Sequence, residues 1–114
     1  MTIDPTQARE KVRTGEALLV CAYAHDEVAR SLLLDGAMTL TELRHILSDV
    51  DKSHEIVFYD AGGDDDIARS RTEQMRAQGY DRARFIEGGA AAWKKAGLPL
   101  AVETAPESSP GAPF

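Results

Sequence analysis

The chain has 114 residues, of which 43% are hydrophobic and 28% are charged, and its formal net charge is −6. This length allows one domain with a core of its own but not two independent domains. The acidic balance and the scattered Lys and Arg residues argue against a nucleic-acid partner, because neutralising phosphates requires clustered positive charge.

The N-terminal part of the chain predicts a helix followed by a buried strand. Asp4 followed by Pro5 is typical of a helix start and Gly15 of a helix end, so we expect a helix over residues 5–14. The continuous apolar segment ALLVCAY, residues 17–23, has the length of a strand. Such a segment indicates a strand that is covered on both faces.

The middle of the chain continues the alternation of helices and strands. Residues 25–34 show a short helical pattern, and residues 37–40 are predicted to form a brief strand. Thr39 or Thr41 is the predicted cap of the next helix. The apolar residues of that helix share one face: Leu40, Leu43, Ile46 and Leu47. Residues 56–59 (IVFY) are the clearest predicted strand.

The C-terminal part predicts two more helices with a strand between them. A helix is expected over residues 66–78, with Asp64–Asp66 in its first turn, where negative charge suits the helix dipole. A strand follows over residues 83–87, and a last helix over 89–96 ends at Gly97. The alternation predicts an α/β fold in which about five short parallel strands have helices on both faces.

The composition also predicts where the domain ends and where the protein resides. We expect the domain to span residues 1–102 and residues 103–114, rich in Pro, Ser, Gly and Ala, to form a flexible C-terminal tail. The apolar segments are far shorter than the roughly 20 residues of a membrane span, and no signal-peptide pattern opens the chain. We therefore expect no membrane partner and a cytoplasmic location.

The segment EGGAAAWKKAGLPL, residues 87–100, resembles the closing signature of the rhodanese homology domain: Gly-Gly, three residues, Trp, then Ala-Gly-x-Pro. Three other segments agree with that family in order. Residues 17–23 resemble its early strand, residues 32–40 (LLLDGAMTL) its His-Ile-Pro-Gly-Ala segment in degraded form, and residues 56–59 the strand before its catalytic loop. The resemblance covers about residues 3–100 and implies a rhodanese-like three-layer fold.

The resemblance draws attention to Asp60. In active rhodaneses a cysteine follows this strand and carries sulfur as a persulfide, because backbone N–H groups of the loop lower its pKa. The residue that matches this cysteine is Asp60, and a carboxylate cannot become a persulfide. The resemblance therefore implies a domain that lacks the family's sulfur transfer. Such a domain serves as a binding or regulatory module for an unknown protein or small-molecule partner.

The loop that follows Asp60 is unusually acidic. Its residues are Ala61, Gly62, Gly63, Asp64, Asp65 and Asp66. Family loops often contain an arginine that helps to hold an anionic donor, whereas the nearest basic residues here, Arg69 and Arg71, lie further along the predicted helix. Four neighbouring carboxylates would repel a dianion such as thiosulfate. We expect Asp60 to accept hydrogen bonds from N–H groups of the loop.

Three alternatives stay open. Cys21, the single cysteine, is either a small core residue or a displaced thiol that transfers sulfur from near the carboxyl end of its strand. Asp60 is either natural or an engineered replacement for the cysteine of an active sulfurtransferase. A weaker alternative is a divalent cation bound by Asp60, Asp64, Asp65 and Asp66, although their spacing fits no standard metal-binding loop. No cofactor is expected.

Overall fold

The computed structural model of the chain describes residues 1–101. The predicted boundary at residue 102 and the predicted tail over 103–114 lie outside the described residues. The strands are Thr2–Ile3 (β1), Ala17–Cys21 (β2), Ala37–Met38 (β3), Glu55–Tyr59 (β4) and Ala83–Ile86 (β5). The helices are Pro5–Arg13 (α1), Asp26–Ser31 (α2), Leu40–Ile46 (α3), Asp66–Ala77 (α4) and Gly89–Lys95 (α5), and a 3-10 helix spans Leu47–Asp49.

The five strands form one sheet in the order β1-β5-β4-β2-β3, and all four neighbouring pairs are parallel. The prediction of a parallel α/β sheet is confirmed. β4 lies at the centre, between β5 and β2, and all five of its residues are buried. A central strand covered on both faces needs apolar residues at successive positions, which explains the segment 56–59.

Two hydrophobic clusters occupy the two faces of the sheet. On one face, Trp93 of α5 and Ala8 of α1 pack in a cluster with Val57 of β4. On the other face, Leu43 of α3 packs in a cluster with Phe58 of β4. Adjacent residues of β4 thus point to opposite layers, as the alternation of side chains along a strand requires. The result is the predicted three-layer arrangement.

Local capping signals explain where the predicted helices begin. The side chain of Asp4 accepts hydrogen bonds from the backbone N–H groups of Thr6 and Gln7, so α1 begins at Pro5 as expected. Thr39, rather than Thr41, caps α3. Its hydroxyl accepts from the N–H of Glu42, whose carboxylate accepts from the N–H of Thr39 in return.

Several predicted boundaries were wrong by a few residues. β2 ends at Cys21 instead of residue 23, because its partner β4 ends at Tyr59. α2 covers only Asp26–Ser31, and β3 stops before the Thr39 cap. β1 was not predicted. Within residues 1–101, no helix is both long enough and apolar enough to cross a membrane.

Candidate functional site

Asp60 directly follows the central strand β4 and is 3% exposed. In open parallel sheets, ligands bind beyond the carboxyl ends of the strands. Residues 61–65 connect Asp60 to α4, so the predicted site loop lies at that end of the sheet. The position of Asp60 therefore gives its carboxylate access to the backbone donors of a loop and of a helix start.

Both carboxylate oxygens of Asp60 accept backbone hydrogen bonds, as predicted. Oδ1 accepts from the N–H of Gly62 at 3.0 Å, and Oδ2 accepts from the N–H of Ala68 at 3.1 Å. Ala68 is the third residue of α4, and the first N–H groups of a helix have no partner within it. Asp65, the residue in the N-cap position, makes no capping bond. Asp60 therefore caps α4 from outside the helix.

Asp65 belongs to the candidate site loop predicted from the sequence, but the sequence patterns did not reveal its structural role. It is 5% exposed, and its φ of 63° is left-handed, a conformation that Asp tolerates better than most residues. Its two carboxylate oxygens accept from the N–H of Gly88 at 3.1 and 3.0 Å. Because that partner is 23 positions away, no local signal could have separated Asp65 from its solvated neighbours.

A second contact holds the same two loops together. The carbonyl oxygen of Asp60 accepts from the N–H of Ala90 at 2.8 Å. A Cβ atom added at Gly89 would lie 2.3 Å from that carbonyl oxygen, and Gly89 has a left-handed φ of 54°. The start of α5 can approach Asp60 only where a side chain is absent, which gives the second glycine of the Gly-Gly pair its physical reason.

Tyr23 fixes the beginning of the loop. Its hydroxyl accepts a hydrogen bond of 3.1 Å from the N–H of Ala61, and the carbonyl of Ala61 accepts from the N–H of Ala91 at 3.1 Å. Three segments, after β2, after β4 and after β5, thus meet at Asp60 and Ala61. The site loop is thus held by a side-chain hydroxyl on one side and by backbone hydrogen bonds from α5 on the other.

The four aspartates do not share one environment. Asp60 and Asp65 are buried and accept from backbone donors, whereas Asp64 and Asp66 are exposed. The carboxylate of Asp64 accepts a hydrogen bond from the N–H of Asp66. The carboxylate of Asp66 forms an ion pair with Arg69 at 3.2 Å. Only Asp66 lies in the first turn of α4; the prediction for Asp64 and Asp65 was wrong, because the left-handed Asp65 delays the helix.

The positions of these carboxylates give no support to the divalent-cation alternative. In the described part of the chain, no group of three or more His, Cys, Asp or Glu residues is arranged to hold a metal ion.

The two arginines near the loop, Arg69 and Arg71, both contact other groups of the protein. The guanidinium of Arg69 lies 5.2 Å from the centre of the Phe85 ring, and Nε of Arg71 donates to the carbonyl of Ala22 at 3.0 Å.

Cys21 is fully buried in the core cluster that contains Trp93. It lies at the end of β2, in register with Tyr59, whose hydroxyl donates to the carbonyl of Leu32 at 2.9 Å. Burial raises the pKa of the Cys21 thiol above its usual range, which disfavours the thiolate. The position of Cys21 is thus that of a small core residue, the first of its two interpretations.

A central parallel strand that ends in a hydrogen-bonded loop before a helix, with helices on both faces of the sheet, defines a three-layer α/β protein. The family model of the rhodanese-like domain matches residues 9–96. The chain therefore belongs to the rhodanese-like domain family.

Solved structures agree with this assignment at the level of the fold. The chain is similar to the rhodanese-like domain of the Anabaena protein Alr3790, with 21% identity and a TM-score of 0.70 over 95% of this chain and 85% of that one. It is also similar to a Lactobacillus plantarum protein, with 19% identity and a TM-score of 0.73 over 88% and 87% of the two chains. The human single-domain sulfurtransferase TSTD1 is 22% identical, with a TM-score of 0.65 over 82% of this chain and 95% of that one.

No curated protein matches the chain.

Proposed function

We propose that this rhodanese-like domain lacks the sulfur transfer of its active relatives and works as a binding or regulatory module. The observation on which the proposal rests is Asp60, a carboxylate at the position where the family resemblance places the persulfide-forming cysteine. Persulfide formation requires a nucleophilic sulfur that can bond to a second sulfur atom. A carboxylate oxygen offers no such bond.

The hydrogen bonds of Asp60 support this proposal. In an active site of this type, loop N–H groups stabilise an anionic sulfur, whereas here the N–H groups of Gly62 and Ala68 already have a resident anion. A third donor, the N–H of Ala61, is occupied by the hydroxyl of Tyr23. The loop therefore has fewer unpaired N–H donors for an anionic substrate than a loop in which Asp60 and Tyr23 did not occupy these three groups.

The charge of the loop surface favours a partner of a particular kind. Asp64 is exposed on the loop, and Asp66 is exposed in the first turn of α4. Glu87 is exposed next to Gly88, whose N–H donates to Asp65 of the loop. Carboxylates at the rim of an interface favour a partner with positive charge. We expect such a partner, protein or small molecule, to meet this end of the sheet. A cytoplasmic location, expected from the composition, is part of this proposal.

The test is an assay in which cyanide removes the outer sulfur of thiosulfate, forming thiocyanate and leaving sulfite. The protein as it stands is expected to form no thiocyanate above the uncatalysed rate. Robust turnover would overturn the proposal. The variant Asp60→Cys, assayed beside it after its fold has been checked by circular dichroism, separates two causes. If Asp60→Cys forms thiocyanate, only the nucleophile is absent from the native protein, as would be the case for an engineered replacement. If Asp60→Cys forms none, the loop no longer binds the donor.

The alternative thiol needs a separate measurement. The protein is incubated with a low-molecular-weight persulfide, and its intact mass is then measured, with Cys21→Ala as the matched control. We expect no added sulfur atom, because Cys21 is fully buried and its raised pKa disfavours the thiolate. A labile sulfur adduct on the protein that is missing from the control would favour sulfur transfer through Cys21.

A further inference from the structure

A cavity of about 210 Å³ lies between α3 and α4, and no residue of the Asp60 loop lines it. Its apolar lining comes from β4, α3, the 3-10 helix and α4. The apolar residues are Phe58 of β4, Leu40 and Leu43 of α3, Leu47 of the 3-10 helix and Met75 of α4. This volume is below the roughly 300–1,000 Å³ of typical pockets for drug-sized ligands. The cavity is thus a place for a small, mainly apolar group.

The remaining lining residues are polar, and two of them are positively charged: Arg44, Arg71, Gln74 and Gln78. Arg71 is held in place, because its Nε donates to the carbonyl of Ala22 at 3.0 Å and its Nη1 donates to Oε1 of Gln74 at 3.3 Å. None of the nine described residues that line the cavity is acidic. Two guanidinium groups therefore border an apolar space without a carboxylate to balance them.

Arg44 differs from Arg71 in having no partner. It lies in the last turn of α3 and is exposed. Across residues 1–101, its side chain has neither a hydrogen bond nor an ion pair. An unpaired arginine beside a second arginine makes this place locally positive, although the chain as a whole has a net charge of −6. It is free to turn toward an anion at the opening of the cavity.

We infer that this cavity binds a small carboxylate with a compact apolar body. The apolar group would contact Phe58 and the leucines, and the carboxylate would receive hydrogen bonds from Arg44 and Arg71. Charge-assisted hydrogen bonds between guanidinium and carboxylate are the strong ones in proteins. A bare inorganic anion would leave the apolar lining unused, and an uncharged hydrocarbon would leave both arginines without an anionic partner.

The test compares two probes that share an apolar chain and differ in charge. Hexanoate and 1-hexanol are titrated into the 15N-labelled protein at constant pH and ionic strength, and the amide shifts are followed by NMR. Hexanoate is expected to shift amides of α3 and α4 in a saturable way, and 1-hexanol to bind more weakly. Equal binding of the two probes, or hexanoate shifts that map to another part of the protein, would overturn the inference.

Three variants sharpen this test. Arg44→Gln is expected to weaken hexanoate binding by about fivefold, through loss of a charge-assisted hydrogen bond. Arg30→Gln is the matched control, since Arg30 is exposed in the last turn of α2 as Arg44 is in α3, and does not line the cavity. Leu47→Trp should fill the cavity and block binding without a change in charge.

The amide spectrum of each variant shows directly whether it is folded. Hexanoate binding that is unchanged in both Arg44→Gln and Leu47→Trp would contradict the inference. Since neither residue touches the Asp60 loop, the outcome is independent of the sulfur-transfer assay.

Discussion

Asp60 combines two roles in one side chain. It occupies the position at the end of β4 where a ligand or a reacting group would be expected, and it supplies the cap that α4 lacks. Hydrogen bonds to a charged acceptor contribute about 1.5–3 kcal/mol each to stability, so the two bonds of this carboxylate matter for the loop. A residue that stabilises the loop in this way suits a binding surface whose shape is set before a partner arrives.

Cys21 gives a prediction on pH dependence. Burial raises the pKa of its thiol above the ordinary value of 9.0 in the folded protein. When the pH rises through that value, the thiol ionises in the unfolded chain but stays protonated in the folded one, so unfolding becomes easier. We expect the free energy of unfolding to fall as the pH rises above about 9 because of this group.

The measurement is urea unfolding of the protein and of Cys21→Ala at pH values from about 8 to about 10. Burial, more than the neighbouring Cys21, raises the pKa of Tyr59, so we expect its hydroxyl to stay protonated in the folded state of both proteins over this range. The difference between the two free energies of unfolding therefore reports on the thiol. The difference is expected to narrow as the pH rises. A difference that stays constant would mean that the folded protein does not disfavour the thiolate of Cys21.

Among the structural elements, the start of α5 lies so close to the site loop that no side chain fits between them. A Cβ atom at Gly89 would lie 2.3 Å from the carbonyl oxygen of Asp60, and the residue is left-handed. Gly89→Ala is therefore expected to cost about 3 kcal/mol or more of the free energy of unfolding, because α5 must move away from the loop. Urea unfolding measures this cost.

Gly97 offers a matched control for that substitution. It is also left-handed, with φ of 76°, but a Cβ atom there would meet nothing within 4 Å. Gly97→Ala should thus show only the conformational cost, about 1 kcal/mol. Equal losses for Gly89→Ala and Gly97→Ala would show that the contact between α5 and the carbonyl of Asp60 is not tight.

Elements whose signals are local could be predicted, and those that depend on distant partners could not. The caps at Asp4 and Thr39 bond to residues two or three positions away, so the helices they begin are readable from the sequence. β1 (Thr2–Ile3) is too short for any periodicity and exists through its pairing with β5. The bond from Gly88 to Asp65 likewise joins two loops that only the folded sheet brings together.

For the molecule as a whole, the two ends of β4 contain contrasting carboxylates. Asp60, at the carboxyl end, accepts from backbone donors, whereas Glu55, at the amino end, is surrounded by side-chain cations. Glu55 is 2% exposed. Its Oε1 lies 2.9 Å from Nζ of Lys11 and 3.4 Å from Nη2 of Arg82, and its Oε2 lies 3.4 Å from Nε of Arg84. This carboxylate joins α1 and β5 to the central strand.

Removing the charge of Glu55 should destabilise the whole domain. Glu55→Gln keeps the size of the side chain but leaves three cations without their shared anion, and we expect a loss of about 2 kcal/mol in the free energy of unfolding. Glu10→Gln is the control, because Glu10 pairs with Arg13 on the surface, where solvent weakens the attraction. That variant should unfold at nearly the same urea concentration as the native protein. If Glu55→Gln were equally harmless, the ion cluster would not hold α1 and β5 to the sheet, and apolar packing alone would account for their attachment.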